Sequence, residues 1–171
     1  DGIRDYKVTG VQTCALPILI TFGKPATDVN IMIAGEQIST FNQVTDLGVV
    51  FDTKLNFRQH LQKVKQRANS IIFNFKSTIR TRDLQVMKKY YDSHLKPTLL
   101  YASPIWYRYD NVTKKALDKI DRRFWKLSPV TRGAVPLNTL SLNQECVLAD
   151  LRLAKSMFDG RIAVPFDDFF Q

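Results

Sequence analysis

Residues 56–80 read NFRQHLQKVKQRANSIIFNFKSTIR, and the spacing of apolar side chains in this stretch decides the fold. Phe57, Leu61, Val64, Ala68, Ile71, Ile72, Phe75 and Ile79 fall within roughly a 100° arc at 3.6 residues per turn, the signature of a helix with one buried face. Asn56 precedes the pattern as an N-cap, a residue whose side-chain oxygen can take an unpaired N–H of the first turn. Beside the arc, Arg58, Gln62, Lys65, Asn69, Lys76 and Arg80 follow at steps of four, three, four, seven and four, so they form a stripe along one flank. No Asp or Glu lies between Arg58 and Arg80.

On the N-terminal side the apolar period changes to two. Val29, Ile31 and Ile33 alternate with polar or outward positions, Ala34-Gly35 supplies a turn, and residues 36–41 return, which predicts a β-hairpin. A third run, residues 44–51, contains Leu47-Gly48-Val49-Val50-Phe51, short enough for a buried strand in which Gly48 marks a bulge or a close backbone approach. On the C-terminal side a second helix is expected after Thr81, carrying Leu84, Met87, Tyr90, Tyr91 and Leu95 and ended or kinked near Lys96 by Pro97. An aromatic, apolar continuation from Leu99 to Tyr107 is interrupted by Pro104. A third helix over residues 112–127 places Val112, Ala116, Ile120, Phe124 and Leu127 inward, and residues 128–136 read as a loop. A fourth helix over residues 143–158 carries Val147, Leu151, Ala154 and Phe158 on one face, with Gly160 as its C-terminal cap. The expected fold class is α+β: a short antiparallel β-hairpin or sheet on the N-terminal side followed by a mostly α-helical bundle.

Composition narrows the chemistry. The hydrophobic fraction of 44% suits a globular chain, and no apolar stretch approaches the ~18 residues that cross a bilayer. Of two cysteines, Cys14 lies within residues 1–18, which are set outside fold reasoning below, so Cys146 is left without a partner and no disulfide framework is expected. His60 and His94 have no Cys or carboxylate at ligand spacing, the seven glycines form no phosphate loop, and Cys146 reads as a small core hydrophobe. The adjacent carboxylates Asp167-Asp168, in the setting Phe166-Asp167-Asp168-Phe169-Phe170, have the residue type that holds two metal ions for phosphoryl transfer. No catalytic constellation emerges elsewhere.

The cations do form a pattern. The third helix repeats the stripe of the first with Lys115, Lys119, Arg122 and Lys126, tempered by Asp118 and Asp121, of which Asp118 can pair with Arg122 one turn on. With a net charge of +9, stripes of this kind suit a phosphate backbone, bound without sequence preference through release of counterions. The expected nucleic-acid-binding residues are Arg58, Lys65, Lys76, Arg80, Lys115, Lys119, Arg122 and Lys126. Tyr101, Trp106, Tyr107 and Tyr109 have the chemistry to stack bases, although core packing is expected for most of them.

The order and spacing of several short motifs carry a family resemblance. Asp46-Leu47-Gly48-Val49-Val50-Phe51-Asp52 is followed by Leu55-Asn56-Phe57-Arg58-Gln59-His60, the long basic helix, and Tyr90-Tyr91 through Leu95-Lys96-Pro97 to Leu100-Tyr101-Ala102 and Pro104-Ile105-Trp106. Leu117-Asp118-Lys119-Ile120-Asp121-Arg122-Arg123-Phe124 comes next, then Leu140-Ser141-Leu142 and the helix ending Met157-Phe158-Asp159-Gly160. Together they resemble the C-terminal part of a non-LTR retrotransposon reverse transcriptase of the Jockey or chicken-repeat kind. The resemblance implies an RNA-directed DNA polymerase as parent, with residues 19–52 as the end of the palm, 53–130 as a helical thumb and 131–171 as a loop and helix of the following linker. The implied partners are an RNA template and an RNA–DNA duplex, with no membrane, in the nucleus or cytoplasm. The family's Mg2+ is held by palm aspartates N-terminal to everything present, so no catalytic residue, metal or cofactor is assigned to this chain. In the family the paired aspartates follow an aromatic and one spacer residue; Pro165 stands in the aromatic's place, so Asp167-Asp168 reads as a solvated acidic tail. Leu142-Asn143-Gln144-Glu145 departs from a more basic run in relatives, which implies a smaller part in binding.

A second resemblance concerns residues 1–18. Asp1-Gly2-Ile3-Arg4-Asp5, Tyr6-Lys7, then Val8-Thr9-Gly10-Val11-Gln12-Thr13-Cys14-Ala15-Leu16-Pro17-Ile18 resembles a translated sequencing-library adapter and is set outside fold reasoning. Its charges, Asp1, Arg4, Asp5 and Lys7, sum to zero, so the basic balance belongs to the remainder. The alternative function, from a different class, is a stand-alone basic helical module that binds nucleic acid or an acidic protein. Stripes that serve solubility alone predict no salt-sensitive binding to duplex.

Overall fold

The computed structural model describes residues 19–23, 31–33 and 36–162. The adapter-like run, the turn at Ala34-Gly35 and the Asp167-Asp168 pair lie outside the described residues. The chain forms two compact units that meet in sequence at Gln59 and His60, and each is described by itself.

The first unit is antiparallel β-structure. Strand β1 (Met32–Ile33) pairs with β2 (Glu36–Gln37), as the hairpin expectation requires. The run from 44 to 51 corrects the expectation of a single strand: β3 (Gln43–Asp46) and β4 (Val49–Asp52) pair with Asp46 opposite Val49. Leu47 and Gly48 are the two-residue turn between them, with φ of 43° and 84°. Positive φ at both central positions is the type I′ geometry whose twist suits a hairpin, so Gly48 serves a turn and not a bulge. Val49 and Val50 are buried, whereas Leu47 is 82% exposed. Leucine meets a steric penalty in the left-handed region that asparagine largely escapes. Leu47→Asn is therefore expected to raise stability by about 1 kcal/mol; an unchanged or lower urea midpoint would count against the I′ assignment.

After β4, Asp52 organises the entry to the first helix. Its carboxylate accepts the backbone N–H groups of Lys54 (2.9 Å), Asn56 (3.3 Å) and Phe57 (3.1 Å). Asn56 accepts the Arg58 N–H at 2.9 Å, but Phe57 between them has a φ of 52°, so Asn56 closes an Asx turn one residue outside the N-cap position expected of it.

The second unit is helical. Helix α1 (Arg58–Thr78) runs into it and buries His60, Leu61, Val64, Ala68, Ile72 and Phe75, the face that periodicity assigns. Arg82 closes its C-terminal end by donating to the carbonyls of Lys76 and Ile79, with its guanidinium 5.3 Å from the Phe75 ring centroid. Asp83 then caps α2 (Leu84–Tyr90), accepting from the Gln85 and Val86 N–H groups. Pro97 does not end the helix at Lys96, and the irregularity expected there takes another form. The helix widens into a π segment (Tyr91–Leu95), in which the Lys96 N–H reaches back to the Tyr91 carbonyl, and continues as α3 (Lys96–Leu99). The extra residue in the turn accommodates a proline that α-register would set against the carbonyl four residues earlier. The chain turns at Ala102 (φ 53°) into α4 (Ser103–Trp106), which holds Pro104 in its first turn.

Helix α5 (Asn111–Trp125) is capped by Asp110 and buries Thr113, Leu117, Ile120, Asp121, Phe124 and Trp125. This corrects the expected inward set. Ile120 and Phe124 face inward as assigned, but Val112 is 61% exposed and Leu117 and Trp125 take the core. The physical reason is Asp121, which periodicity treats as solvent-facing. Its two oxygens accept the Tyr91 hydroxyl at 2.5 Å and the Leu142 N–H at 2.9 Å, so it is satisfied in the interior. Helix α6 (Leu142–Phe158) starts in a capping box between Ser141 and Gln144. It ends in a Schellman motif at Gly160, where Gly160 N–H bonds Met157 and Arg161 N–H bonds Ser156. Its expected core face is also corrected: Val147, Leu151 and Phe158 are 38%, 61% and 73% exposed, and burial is confined to Leu142 and Cys146 in the first turns. Phe124 sits at the middle of the core, ringed by Phe75, Tyr90, Tyr91 and Trp125 at centroid distances of 5.3, 6.4, 5.5 and 5.1 Å.

Candidate nucleic-acid interface

On α5 the cations stand opposite the core. At 100° per residue, Lys115, Lys119, Arg122 and Lys126 fall within about 60° of one another, on the side away from Leu117, Ile120 and Phe124. All four are exposed. With Asp118 and Arg123 they line an open groove of about 580 Å³. Asp121, one of the two carboxylates expected to temper this face, points into the core. Asp118 remains exposed but accepts the Asn143 side-chain amide at 2.6 Å instead of pairing with Arg122. The face is therefore more uniformly positive than its sequence suggests.

The loop after α5 supports two of these cations. A Cβ on Gly133 (φ 95°) would meet Lys126 Cγ at 2.9 Å and Arg122 Cγ at 3.2 Å. Only a glycine lets the loop backbone lie this close to the aliphatic stems, which leaves the charged ends in water.

On α1, Arg58, Lys65 and Lys76 are exposed, with Arg58 in the first turn, within the first unit. Arg80 is exposed too, but it follows the end of α1 at Thr78 and belongs to the connection toward α2. None of the eight expected cations is ion-paired with a described residue; the ion pairs found are Lys96 with Asp92 and Glu145, Arg108 with Asp110, and Arg161 with Asp159. The two helices are joined at the stripes. Arg123 Nη1 donates to Asn69 Oδ1 at 2.6 Å, and Phe75 and Phe124 of the same two helices meet at 5.3 Å between ring centroids. Arg123 is a residue that spacing alone does not single out.

A second residue that periodicity misses is Phe73, 68% exposed in the middle of α1. It lies outside the apolar arc, one turn after Asn69 and one turn before Lys76, so its sequence position already sets it on the cationic flank. Of the four aromatics named as stacking residues, Trp106 and Tyr107 are core, at 1% and 6% exposure, while Tyr101 and Tyr109 are surface residues. Tyr109 is committed elsewhere: its hydroxyl donates to Asp150 at 2.5 Å, a bond that, ahead of burial, pushes its pKa up to about 12.

The four residues 142–145 are the means by which α6 is attached. Leu142 N–H goes to Asp121; Asn143 takes the Tyr107 hydroxyl (3.0 Å) and donates to the Lys114 carbonyl (3.0 Å) and Asp118; Gln144 completes the capping box. Glu145 shares the Lys96 ammonium with Asp92, each at 2.8 Å. Burial lowers the Lys96 pKa, but the two carboxylates outweigh it and the net direction is upward.

Reactive groups outside this face are quenched by their surroundings. Burial pushes the Cys146 thiol up to about 12, which leaves it protonated and non-nucleophilic. Burial against Trp106, whose ring lies 5.2 Å away, draws His60 down to about 4. Ser93 Oγ is 2.7 Å from His94 Nδ1, but its single proton is given to the Lys89 carbonyl at 2.7 Å. The imidazole must then donate to Ser93 and cannot act as its base. Among the described residues no three His, Cys, Asp or Glu side chains converge as metal ligands. No helix among them is long and apolar enough to cross a membrane.

Comparison with protein-family models, curated proteins and solved structures finds no match to this chain.

Proposed function

We propose that the cationic faces of α1 and α5 grip the backbone of a nucleic-acid duplex. By the resemblance in residues 43–127, this would be the template–primer duplex of an RNA-directed DNA polymerase from a non-LTR retrotransposon, with this chain as its thumb-side part. The observation that carries the reading is the face of Lys115, Lys119, Arg122 and Lys126: four exposed cations opposite the core, unpaired among the described residues and extended toward α1 through Arg123 and Asn69. Steps of three and four residues space such cations about 4.5–6 Å apart along the helix, suited to following successive phosphates, and binding would be sequence-independent. The described residues do not fit the Mg2+ of the family's polymerase site, so no chemical step is assigned to them. The chain is expected to bind duplex and to incorporate no nucleotide alone.

The test is salt dependence. Binding to an RNA–DNA duplex is titrated from low to moderate salt for the wild type and for a variant with Lys115, Lys119, Arg122 and Lys126 all changed to glutamine. Each phosphate that the variant no longer neutralises flattens the slope of log K against log salt by about 0.9, so the slope should fall by roughly 3 to 4. Identical slopes would remove α5 from the interface, and an absence of salt-sensitive binding in the wild type would leave the stripes a solubility device.

A further inference from the structure

We propose that Phe73 is a base-stacking residue, holding an unpaired base of a strand whose phosphates run past Lys65 and Lys76. This rests on the reading of the α1–α5 face as a nucleic-acid surface and adds a ligand feature, an unstacked base, that cations alone do not select. An isolated exposed apolar side chain is ordinary on a protein surface. Phe73 differs in where it stands. Helix α1 has a well-filled apolar face in Leu61, Val64, Ala68, Ile72 and Phe75, and Phe73 is off that face at 68% exposure. Its helical neighbours one turn away are Asn69 and Ser70 on one side and Lys76 and Ser77 on the other, all exposed and none apolar. Lys76 lies about 4.5 Å further along the axis and Lys65 about 12 Å back, so a ring-sized apolar surface is bracketed by phosphate-binding groups. Asn69 is fixed by Arg123 at 2.6 Å, which secures the turn beside the ring. A nucleobase offers the one flat apolar face that also carries a phosphate within reach, and stacking on an aromatic side chain is indifferent to base identity. That indifference matches the sequence-independent grip of the cations.

The experiment uses the whole chain with two probes: fluorescein-labelled single-stranded dT15 and a blunt-ended RNA–DNA duplex. Phe73→Ala should weaken dT15 binding about 5- to 150-fold with the salt slope unchanged, and should leave blunt-duplex binding as in the wild type. Phe73→Trp should restore dT15 affinity and show indole quenching on binding. Circular dichroism of both variants should match the wild type, since the side chain is exposed. Wild-type dT15 affinity in Phe73→Ala would overturn the proposal, as would equal losses on both probes. A wild-type chain that dimerises through Phe73 with dT15 affinity indifferent to the residue would overturn it as well. The underlying reading is checked separately by Lys65→Gln with Lys76→Gln. A flattened salt slope there with a silent Phe73→Ala sinks the stacking role alone, and an unchanged slope removes the α1 flank from the proposed interface.

Discussion

Phe124→Ala should cost the helical unit about 3–5 kcal/mol, a large share of the stability of an ordinary domain, about 5–15 kcal/mol. Phe124 is wholly buried and sits within 5.1 to 6.4 Å, centroid to centroid, of Phe75, Tyr90, Tyr91 and Trp125. Truncation removes the group that α1, α2, the π segment and α5 share, and the surrounding aromatic rings cannot collapse into the space without leaving their rotamers. Urea denaturation followed by far-ultraviolet circular dichroism measures the loss. Phe124→Leu, which keeps most of the volume, should retain a cooperative transition at a lower midpoint. A loss below about 1 kcal/mol for the alanine variant would show that the cluster is not the core.

The second large effect concerns Asp121, and its sign follows from burial. Desolvation pushes its carboxyl up to about 6 from an ordinary 3.8, against the opposing pull of the Tyr91 hydroxyl and the Leu142 N–H. Between about pH 4 and pH 6 the folded chain therefore keeps a proton that the unfolded chain has released. A native state that binds more protons loses stability as pH rises. The contribution is complete below about pH 4 and is lost as pH climbs through 6; at about 1.4 kcal/mol per pH unit it amounts to at most about 3 kcal/mol. Asp121→Asn carries no charge, can accept the Leu142 N–H through its oxygen and can donate to Tyr91 through its nitrogen. Its stability should be flat across that window, at a level lowered by the Tyr91 hydroxyl proton that the amide no longer accepts. Asp121→Ala instead strands a buried hydroxyl and a buried N–H, each costing about 1–3 kcal/mol. Denaturation midpoints measured from pH 4 to pH 7 decide the matter, and an equal pH slope in wild type and Asp121→Asn would refute the assignment.

What can be read in the sequence is whatever is determined within a few turns of chain. The α1 arc and the Gly160 cap each depend on neighbours a few turns away at most, and each appears where spacing places it. The exposure of the eight cations is equally legible, because long charged side chains seek water whatever the tertiary arrangement. Most of the failures share one cause, a distant partner that overrides a local preference. Asp121 turns the buried face of α5 because Tyr91, thirty residues earlier, and Leu142, twenty-one later, receive it. Residues 142–145 attach α6 through partners on α3, α5 and the 107–110 connection, a role that local spacing does not show. The joining of the two stripes rests on one bond between residues fifty-four apart. The Leu47-Gly48 turn escapes sequence reading for a different reason: leucine is an unfavourable occupant of a left-handed position, so local preference points to a strand. Phe73 needs no structure at all, only attention to an aromatic residue on the wrong side of an otherwise regular helix.

The π segment at Tyr91–Leu95 limits how this chain can change over generations. A π turn is an α-turn that has absorbed one extra residue while the helix on either side keeps its facing. Pro97 in uninterrupted α-register would cost about 3 kcal/mol, so the extra residue and the proline depend on each other. Deleting Asp92 or Ser93, both exposed, would close the turn and return the proline ring to a carbonyl, whereas the same deletion should be tolerated once Pro97 is replaced.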